Sequence, residues 1–187
     1  MKIANVLPGD IERRSMEIIE AELGEIKLDP EIKSIIKRVI HTSADFDYAK
    51  NLRFSEGAVQ AGLEALRQGC TIITDTNMAC TGINKPGLQK LKGRVLCFMA
   101  EEEIASQAKK AGCTRASASM DKACTITGPL IIVVGNAPTA LLRLEELIRA
   151  GKISPALVIG VPVGFVNVVE AKNVIMSAGV PYIVAVG

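Results

Sequence analysis

The sequence predicts an α/β protein in three layers, with a doubly wound, parallel, five-stranded sheet and a helical N-terminal arm. From residue 70 onward five short aliphatic runs appear, and they are apolar throughout, as in parallel strands that helices cover on both faces. Helical signals occupy most of the intervals between these runs, which is typical of βαβ units. Before residue 70 only helical signals appear. The five predicted strands are residues 70–74, 95–99, 130–134, 157–161 and 182–186.

We prefer the flavodoxin-like strand order 2-1-3-4-5 for this sheet. At 187 residues the chain fits a single domain that is large enough to bury an ordinary core. We divide it into a helical arm of about residues 1–68 and an α/β core of about residues 69–187. In open α/β sheets ligands bind beyond the carboxyl ends of the strands, so the site is expected among the residues that follow each strand.

Three helices are predicted in the arm from capping residues and apolar periodicity. The first covers residues 11–23, the second begins with an aspartate followed by proline, and the third covers residues 55–68. The capping and stop residues are, in chain order, Asp10, Gly24, Asp29 with Pro30, Ser55 and Gly69.

Three further helices are predicted in the core. One begins with three glutamates and ends with two lysines, charges that match the helix dipole. Another begins at Pro138, and the last covers residues 167–178. The glycines that close these helices are Gly112, Gly151 and Gly179.

The sole histidine, His41, lies at the end of the second helix. Apolar residues before it follow the spacing of a buried helix face, and we expect a buried turn to hold His41 where the helix dipole favours cations. An unperturbed imidazole titrates near ~6.5, so it suits proton exchange at neutral pH. A histidine that merely caps the helix end is the structural alternative, and spacing alone leaves both interpretations open.

Composition argues against several classes of function. No apolar run approaches the ~20 residues of a membrane span, and a net charge of +2 gives no case for binding nucleic acid or a membrane surface. The five cysteines show no CxxC spacing, so with one histidine no zinc site is expected. An odd number of thiols in apolar stretches favours a reducing compartment, the cytoplasm. Neither GxGxxG nor GxxxxGK[ST] occurs, so no nucleotide cofactor is expected.

Five segments resemble the precorrin-8X methylmutases, the isomerases of corrin biosynthesis, and they stand in the order of that family. The segment RVIHTSADF at residues 38–46 is similar to the family's R-V-I-H-T-[TS]-G-D-F, with Ala44 where glycine is usual. The others are DTNM with TGI at 75–83, GCTRASASM at 112–120, GNAPTAL at 135–141 and PALVIGVPVGFV at 155–166. The family typically continues past the position of Gly187 with a glycine-rich turn and a final helix, and the sequence leaves open whether such a segment belongs to this protein.

The resemblance implies a cofactor-free isomerase of cobalamin biosynthesis that moves a methyl group from C11 to C12 of precorrin-8 or cobalt-precorrin-8, giving hydrogenobyrinate or cobyrinate. This reaction is a [1,5]-sigmatropic shift, which protonation of the macrocycle would promote, and the resemblance makes His41 the proton donor and acceptor. Arginines suit the acetate and propionate carboxylates of such a substrate. The resemblance implies substrate-binding roles for Ser15, Arg38, Thr42, Ser43, Thr81, Gly82, Arg115, Ser117, Asn136, Thr139 and Gly164.

The resemblance also implies a homodimer with sites near the subunit interface, and the scarcity of charge in residues 70–83 and 153–187 independently favours association. A non-catalytic carrier of tetrapyrroles or corrinoids on the same scaffold is the alternative function. Retention of His41 and Arg38 favours the enzyme, because a carrier needs no proton donor. The sequence leaves open whether the substrate contains cobalt, although five thiols suit an anaerobic cell and so favour the cobalt form.

Overall fold

The computed structural model describes residues 7–186, which form ten helices and six strands. The chain divides into two compact units, Met1–Leu52 and Arg53–Gly187. No helix in the described range combines the length and the apolarity that a bilayer span requires. The helices are α1 Pro8–Leu23, α2 Pro30–Ser43, α3 Tyr48–Asn51, α4 Ala58–Arg67, α5 Asn77–Gly82, α6 Lys85–Lys90, α7 Glu102–Ala111, α8 Arg115–Ala123, α9 Pro138–Arg149 and α10 Val168–Met176. The strands are β1 Leu52–Phe54, β2 Thr71–Thr74, β3 Arg94–Leu96, β4 Leu130–Val134, β5 Leu157–Gly160 and β6 Tyr182–Ala185.

The first unit contains α1, α2 and α3, and α1 packs against α2. Each of these two helices buries one apolar stripe and exposes its polar side, as the periodicity predicts. The fully or nearly fully buried residues are Ile19, Leu23, Ile36 and Ile40. This packing fixes the end of α2, where His41 lies.

The starts of the first two helices differ in how well the sequence predicted them. The N-cap of α2 is confirmed, because the Asp29 side chain accepts a hydrogen bond of 2.9 Å from the N–H of Glu31. The predicted cap of α1 is wrong. Pro8 already occupies the first turn of α1, so Asp10 lies inside the helix and its carboxylate pairs with Arg13 at 3.1 Å.

A strand precedes α4, in a segment where only helix was predicted. β1 neighbours β6 in the sheet, and Ser55 extends the pairing: its N–H donates to the Tyr182 carbonyl (3.0 Å) and its Oγ accepts from the Tyr182 N–H (2.9 Å). Ser55 is therefore not the N-cap of α4. The N-cap is Gly57, whose backbone has the left-handed conformation, and α4 begins at Ala58. Three residues are too few for an alternating strand pattern to show in the sequence.

The sheet is mixed and has the strand order β1-β6-β5-β4-β2-β3. The neighbouring strands from β2 to β6 all pair in parallel. The prediction of five strands is wrong, because β1 adds an edge strand beyond β6. If β2 to β6 are renumbered 1 to 5 and read from the β3 edge, their order is 2-1-3-4-5. The whole sheet, however, is mixed and six-stranded rather than parallel and five-stranded as predicted.

Helices cover both faces of the sheet in the second unit. On one face, α7 to α10 form the main core with the alternate strand residues Ile73, Ile132, Val158 and Val184. On the other face α4 lies against β4 and β5. A Cβ on Gly62 of α4 would lie 2.9 Å from the Leu157 side chain, so a larger residue here would require that side chain to move. The layering of helix, sheet and helix follows from strands that are apolar on both faces.

The carboxyl ends of β2, β4 and β5 lie side by side. Thr74 is in register with Val133, and Val134 with Gly160. The residues that follow these strands therefore meet at one edge of the sheet, where ligands of open α/β folds bind.

Candidate active site

His41 lies on the wall of a hollow of about 200 Å³ in the first unit. The lining is mostly apolar, and its only ionisable groups are the imidazole and one carboxylate. The hollow is lined by Ser15, Ile18, Ile19, Glu22, Ile40, His41, Ala44 and Phe46. Two of the predicted site residues, Ser15 and His41, are thus brought together by the packing of α1 on α2.

The end of α2 leaves the His41 ring unengaged. The helix continues to Ser43, and the N–H of Ala44 closes it by donating to the Ile40 carbonyl at 2.7 Å. The ring of His41 makes no hydrogen bond to any described residue, so the capping interpretation is not supported. The predicted buried turn is wrong, because residues 41–45 are all exposed.

The two hydroxyl groups after His41 serve the helix end. Thr42 Oγ1 donates to the Arg38 carbonyl (3.1 Å) and Ser43 Oγ donates to the Val39 carbonyl (2.9 Å). Each hydroxyl donates to the carbonyl four residues earlier, a common arrangement for Ser and Thr inside a helix. Ala44 has a φ of +56°, a conformation that glycine, the usual family residue here, adopts at lower cost.

Arg38 lines a different hollow of the first unit, of about 420 Å³. Its Nη1 pairs with Glu12 at 2.5 Å, and both side chains are exposed. Lys33 and Lys37 line the same hollow, and both ammonium groups contact the Glu20 carboxylate. Hydrogen bonds from Lys33 and then Lys37 lower the pKa of Glu20. The three cations outnumber by one the two carboxylates that pair with them, Glu12 and Glu20, and the small positive charge that remains suits an anionic ligand.

In the second unit, Asp75 holds the loop between β4 and α9. Its buried carboxylate accepts hydrogen bonds from three consecutive backbone N–H groups: Gly135 at 2.9 Å, Asn136 at 2.9 Å and Ala137 at 2.7 Å. The side chain of Asn136 is exposed and makes no hydrogen bond to a described residue. Asp75 thus fixes the backbone of this loop, while the side-chain amide of Asn136 remains available to a ligand.

Ser117 and Thr139 meet between the first turns of α8 and α9. Thr114 Oγ1 lies 3.0 Å from Ser117 Oγ and 2.8 Å from Thr139 Oγ1, and Ser117 Oγ donates to the Thr139 carbonyl at 3.2 Å. Arg115, the first residue of α8, is exposed and pairs with no carboxylate of a described residue. An arginine without an internal partner beside these hydroxyls is suited to a carboxylate ligand.

An ion pair joins α8 to α9 further along. Arg143 Nη2 donates to Asp121 Oδ1 at 2.6 Å, and Arg143 Nη1 donates to Glu146 at 2.6 Å. These hydrogen bonds, the one to Asp121 foremost, raise the pKa of Arg143. The two helices that carry Arg115 and Thr139 are therefore tied together at both ends of their contact.

The remaining predicted residues lie in segments that follow β2 and β5. Thr81 Oγ1 donates to the Asn77 carbonyl at 2.8 Å inside α5, and Gly82 is the last residue of that helix. Gly164 has a φ of +137° in the loop after β5. Large apolar side chains flank it and are exposed to solvent: Val163 (69%), Phe165 (105%) and Val166 (76%). Exposed apolar groups of this kind suit a flat apolar ligand or a protein partner.

Comparison with known proteins assigns the chain to a family. A sequence profile described as precorrin-8X methylmutase matches residues 10–187. The cobalt-precorrin-8 methylmutase of Priestia megaterium is 40% identical over 186 residues, covering 100% of this chain and 83% of the relative. That of Leptospira interrogans is 39% identical over 186 residues, covering 95% and 84%. A crystallographic precorrin-8x methylmutase from Thermus thermophilus matches with a TM-score of 0.87 and 42% identity over 96% of this chain and 86% of that one.

This chain belongs to the precorrin-8X methylmutase family. Its members are isomerases, so the features described above are those of an enzyme. Within residues 7–186 of this methylmutase, no group of three or more His, Cys, Asp and Glu side chains is placed to hold a metal ion.

The structure adds four residues that sequence reasoning did not include in the methylmutase site. Lys33 and Lys37 line the same hollow as Arg38. Asp75 holds the backbone of Asn136, and Thr114 contacts the hydroxyl of Thr139. An aspartate directly after a fully buried strand, as Asp75 follows β2, is a signal that could have found one of them. The lysines are spaced as on any solvated helix face, so the sequence carried no such signal for them.

Proposed function

We propose that this methylmutase moves a methyl group from C11 to C12 of precorrin-8 or its cobalt form, with His41 as the proton donor and acceptor. The observation that carries the proposal is the hollow shared by His41 and Ser15, in a chain of this family. The imidazole has no internal hydrogen-bond partner among the described residues. It is therefore free to give a proton to a bound macrocycle and to take it back.

The chemistry needs no other reactant. In a [1,5]-sigmatropic shift the methyl group leaves one ring carbon and bonds to another as the conjugated double bonds shift, so substrate and product are isomers. Protonation of the macrocycle draws electron density towards the protonated atom and promotes the migration. The proton returns to His41 at the end, and the carboxylate of Glu22 in the same hollow can stabilise the imidazolium before the proton is given and after it returns.

The substrate's carboxylates are proposed to meet cations and hydroxyls, and its flat faces to meet small and apolar residues. Arg115 has the planar fork that binds a carboxylate through two parallel hydrogen bonds. In the first unit, Arg38 lies among lysines in a positively charged hollow. The remaining proposed contacts are Ser15, Thr42, Ser43, Thr81, Gly82, Ser117, Asn136, Thr139 and Gly164.

We further propose the cobalt-containing macrocycle as substrate, the cytoplasm as compartment and a homodimer as the assembly. The relatives from Priestia megaterium and Leptospira interrogans are named cobalt-precorrin-8 methylmutases, which supports the first point. All five cysteines are free thiols, which supports a reducing compartment. The exposed apolar residues around Gly164 support association.

The absorbance spectrum during incubation with each substrate form tests the function. With cobalt-precorrin-8 we expect a time-dependent change to the spectrum of the corrin product at unchanged mass, faster than with metal-free precorrin-8. A rapid, small shift that stays constant would identify a carrier instead. Faster turnover of the metal-free form would overturn the cobalt assignment and leave the methylmutase activity in place.

A further inference from the structure

Asp75 is a buried acid that has no part in the proposed reaction. It follows β2 directly, its exposure is 0%, and it forms no ion pair with a described residue. A buried charge is costly unless hydrogen bonds compensate it. Here the compensation comes from three backbone N–H groups: Gly135 donates to Oδ1, and Asn136 and Ala137 both donate to Oδ2.

These three amides lead directly into α9, which begins at Pro138. The N-terminal end of a helix attracts anions, because its N–H groups and its dipole point towards them. Asp75 is the anion that α9 already holds, and proline at the first helical position adds no further donor. The backbone of residues 135–137 is therefore closed to a carboxylate of the substrate.

What remains available at this edge is side chains. The Asn136 amide is exposed and unbonded, while its own backbone N–H is held by Asp75 at 2.9 Å. One turn further along, the Thr139 hydroxyl is held at 2.8 Å by Thr114. Recognition by Asn136 and Thr139 therefore depends on a loop whose position is set by an acid 60 or more residues earlier in the chain.

We infer that Asp75 is a positioning residue for substrate binding: its carboxylate fixes the 135–137 backbone so that Asn136 presents its amide to the substrate, and it keeps the α9 N-terminus from binding the substrate directly. This inference rests on the proposed function, because it names Asn136 as a substrate contact. It extends that function because, at this edge of the sheet, only side chains and no backbone N–H groups of residues 135–137 would bind the anionic groups of the substrate.

A double-mutant cycle on the affinity for the corrin product tests the inference. Asp75→Asn keeps the size of the side chain but turns one accepting oxygen into a donor that faces an N–H group. We expect it to weaken product binding about tenfold, as for the loss of one hydrogen bond. In the Asn136→Ala background the same change should weaken binding by less than about twofold, because the side chain that Asp75 positions is already absent.

The matched control is Asp29→Asn. Asp29 also accepts a backbone N–H at a helix start, but it is exposed, and asparagine caps a helix equally well. Its product affinity should stay at the wild-type value. Equal weakening by Asp75→Asn in both backgrounds would overturn the inference and leave Asp75 with a purely structural role.

A second measurement uses only the wild-type protein, in case Asp75→Asn does not fold. Sulfate is titrated into the ¹⁵N-labelled chain, and the amide resonances of residues 135–137 are followed. These resonances should not shift, since Asp75 occupies their hydrogens, and saturable shifts would overturn the inference. If the wild type binds no corrin at all, the proposed function fails, while the sulfate titration still decides whether Asp75 closes this helix end.

Discussion

Replacing His41 by alanine separates proton transfer from substrate binding. The ring is exposed and makes no hydrogen bond to a described residue, so its removal leaves neither a buried cavity nor an unpaired partner. The free energy of unfolding should therefore change by less than about 0.5 kcal/mol, as for an ordinary surface substitution. General acid–base catalysis contributes roughly 10²–10⁴-fold to rate, so kcat should fall by that factor. Product affinity should persist, because it depends on arginines, amides and apolar surface.

The assay combines single-turnover absorbance kinetics with equilibrium titration of the corrin product. His41→Gln serves as a second variant, since glutamine keeps hydrogen-bonding capacity but cannot exchange a proton near neutral pH. Glu25→Ala, an exposed position between α1 and α2, is the matched control and should keep the wild-type rate. Near-normal turnover by His41→Ala would refute the proton-transfer role. An equal loss of rate and product affinity would make His41 a binding contact only.

Three further outcomes are expected. Arg115→Ala and Arg38→Ala should each lose about 1.5–3 kcal/mol of product-binding free energy, and Arg115→Lys should recover only part because lysine lacks the planar fork; unchanged affinities by calorimetry would remove both from the site. Burial lowers the pKa of Lys172 on α10, so its charge destabilises the folded chain below that pKa, and the cost is relieved as pH rises towards the unfolded value of 10.5. Lys172→Met should therefore raise the melting temperature at pH 7 and less so at pH 10, whereas exposed Lys110→Met should not. Sedimentation at micromolar concentration should show a dimer, and a fully active monomer would contradict a shared site.

The features that the sequence predicted well are those with local causes. The N-cap of α2, the start of α9 at Pro138 and the aliphatic runs that became β2 to β6 each depend on a few neighbouring residues. Placement of His41 near the end of an amphipathic helix followed in the same way. The family was also recognisable in short segments, because each segment keeps its residues in order along the chain.

The features that the sequence could not predict depend on residues far apart in the chain. Ser55 pairs with Tyr182, 127 positions away. The sequence around β1 therefore does not indicate a strand, because the strand depends on its pairing with the distant β6. Arg38 and His41 lie three positions apart, yet they line different hollows because α1 packs over α2 between them and divides their surroundings.

Sequence alone determined the family of this protein, its α/β class and the single histidine on which the proposed chemistry depends. Tertiary structure alone decided which groups stand together: Ser15 beside His41, Thr114 between Ser117 and Thr139, and Asp75 beneath the loop of Asn136. The physical reason is that hydrogen bonds and burial act over a few ångströms in space. Sequence patterns report only neighbours along the chain, whereas the acid that holds the 135–137 loop lies just after β2, at least 60 residues earlier.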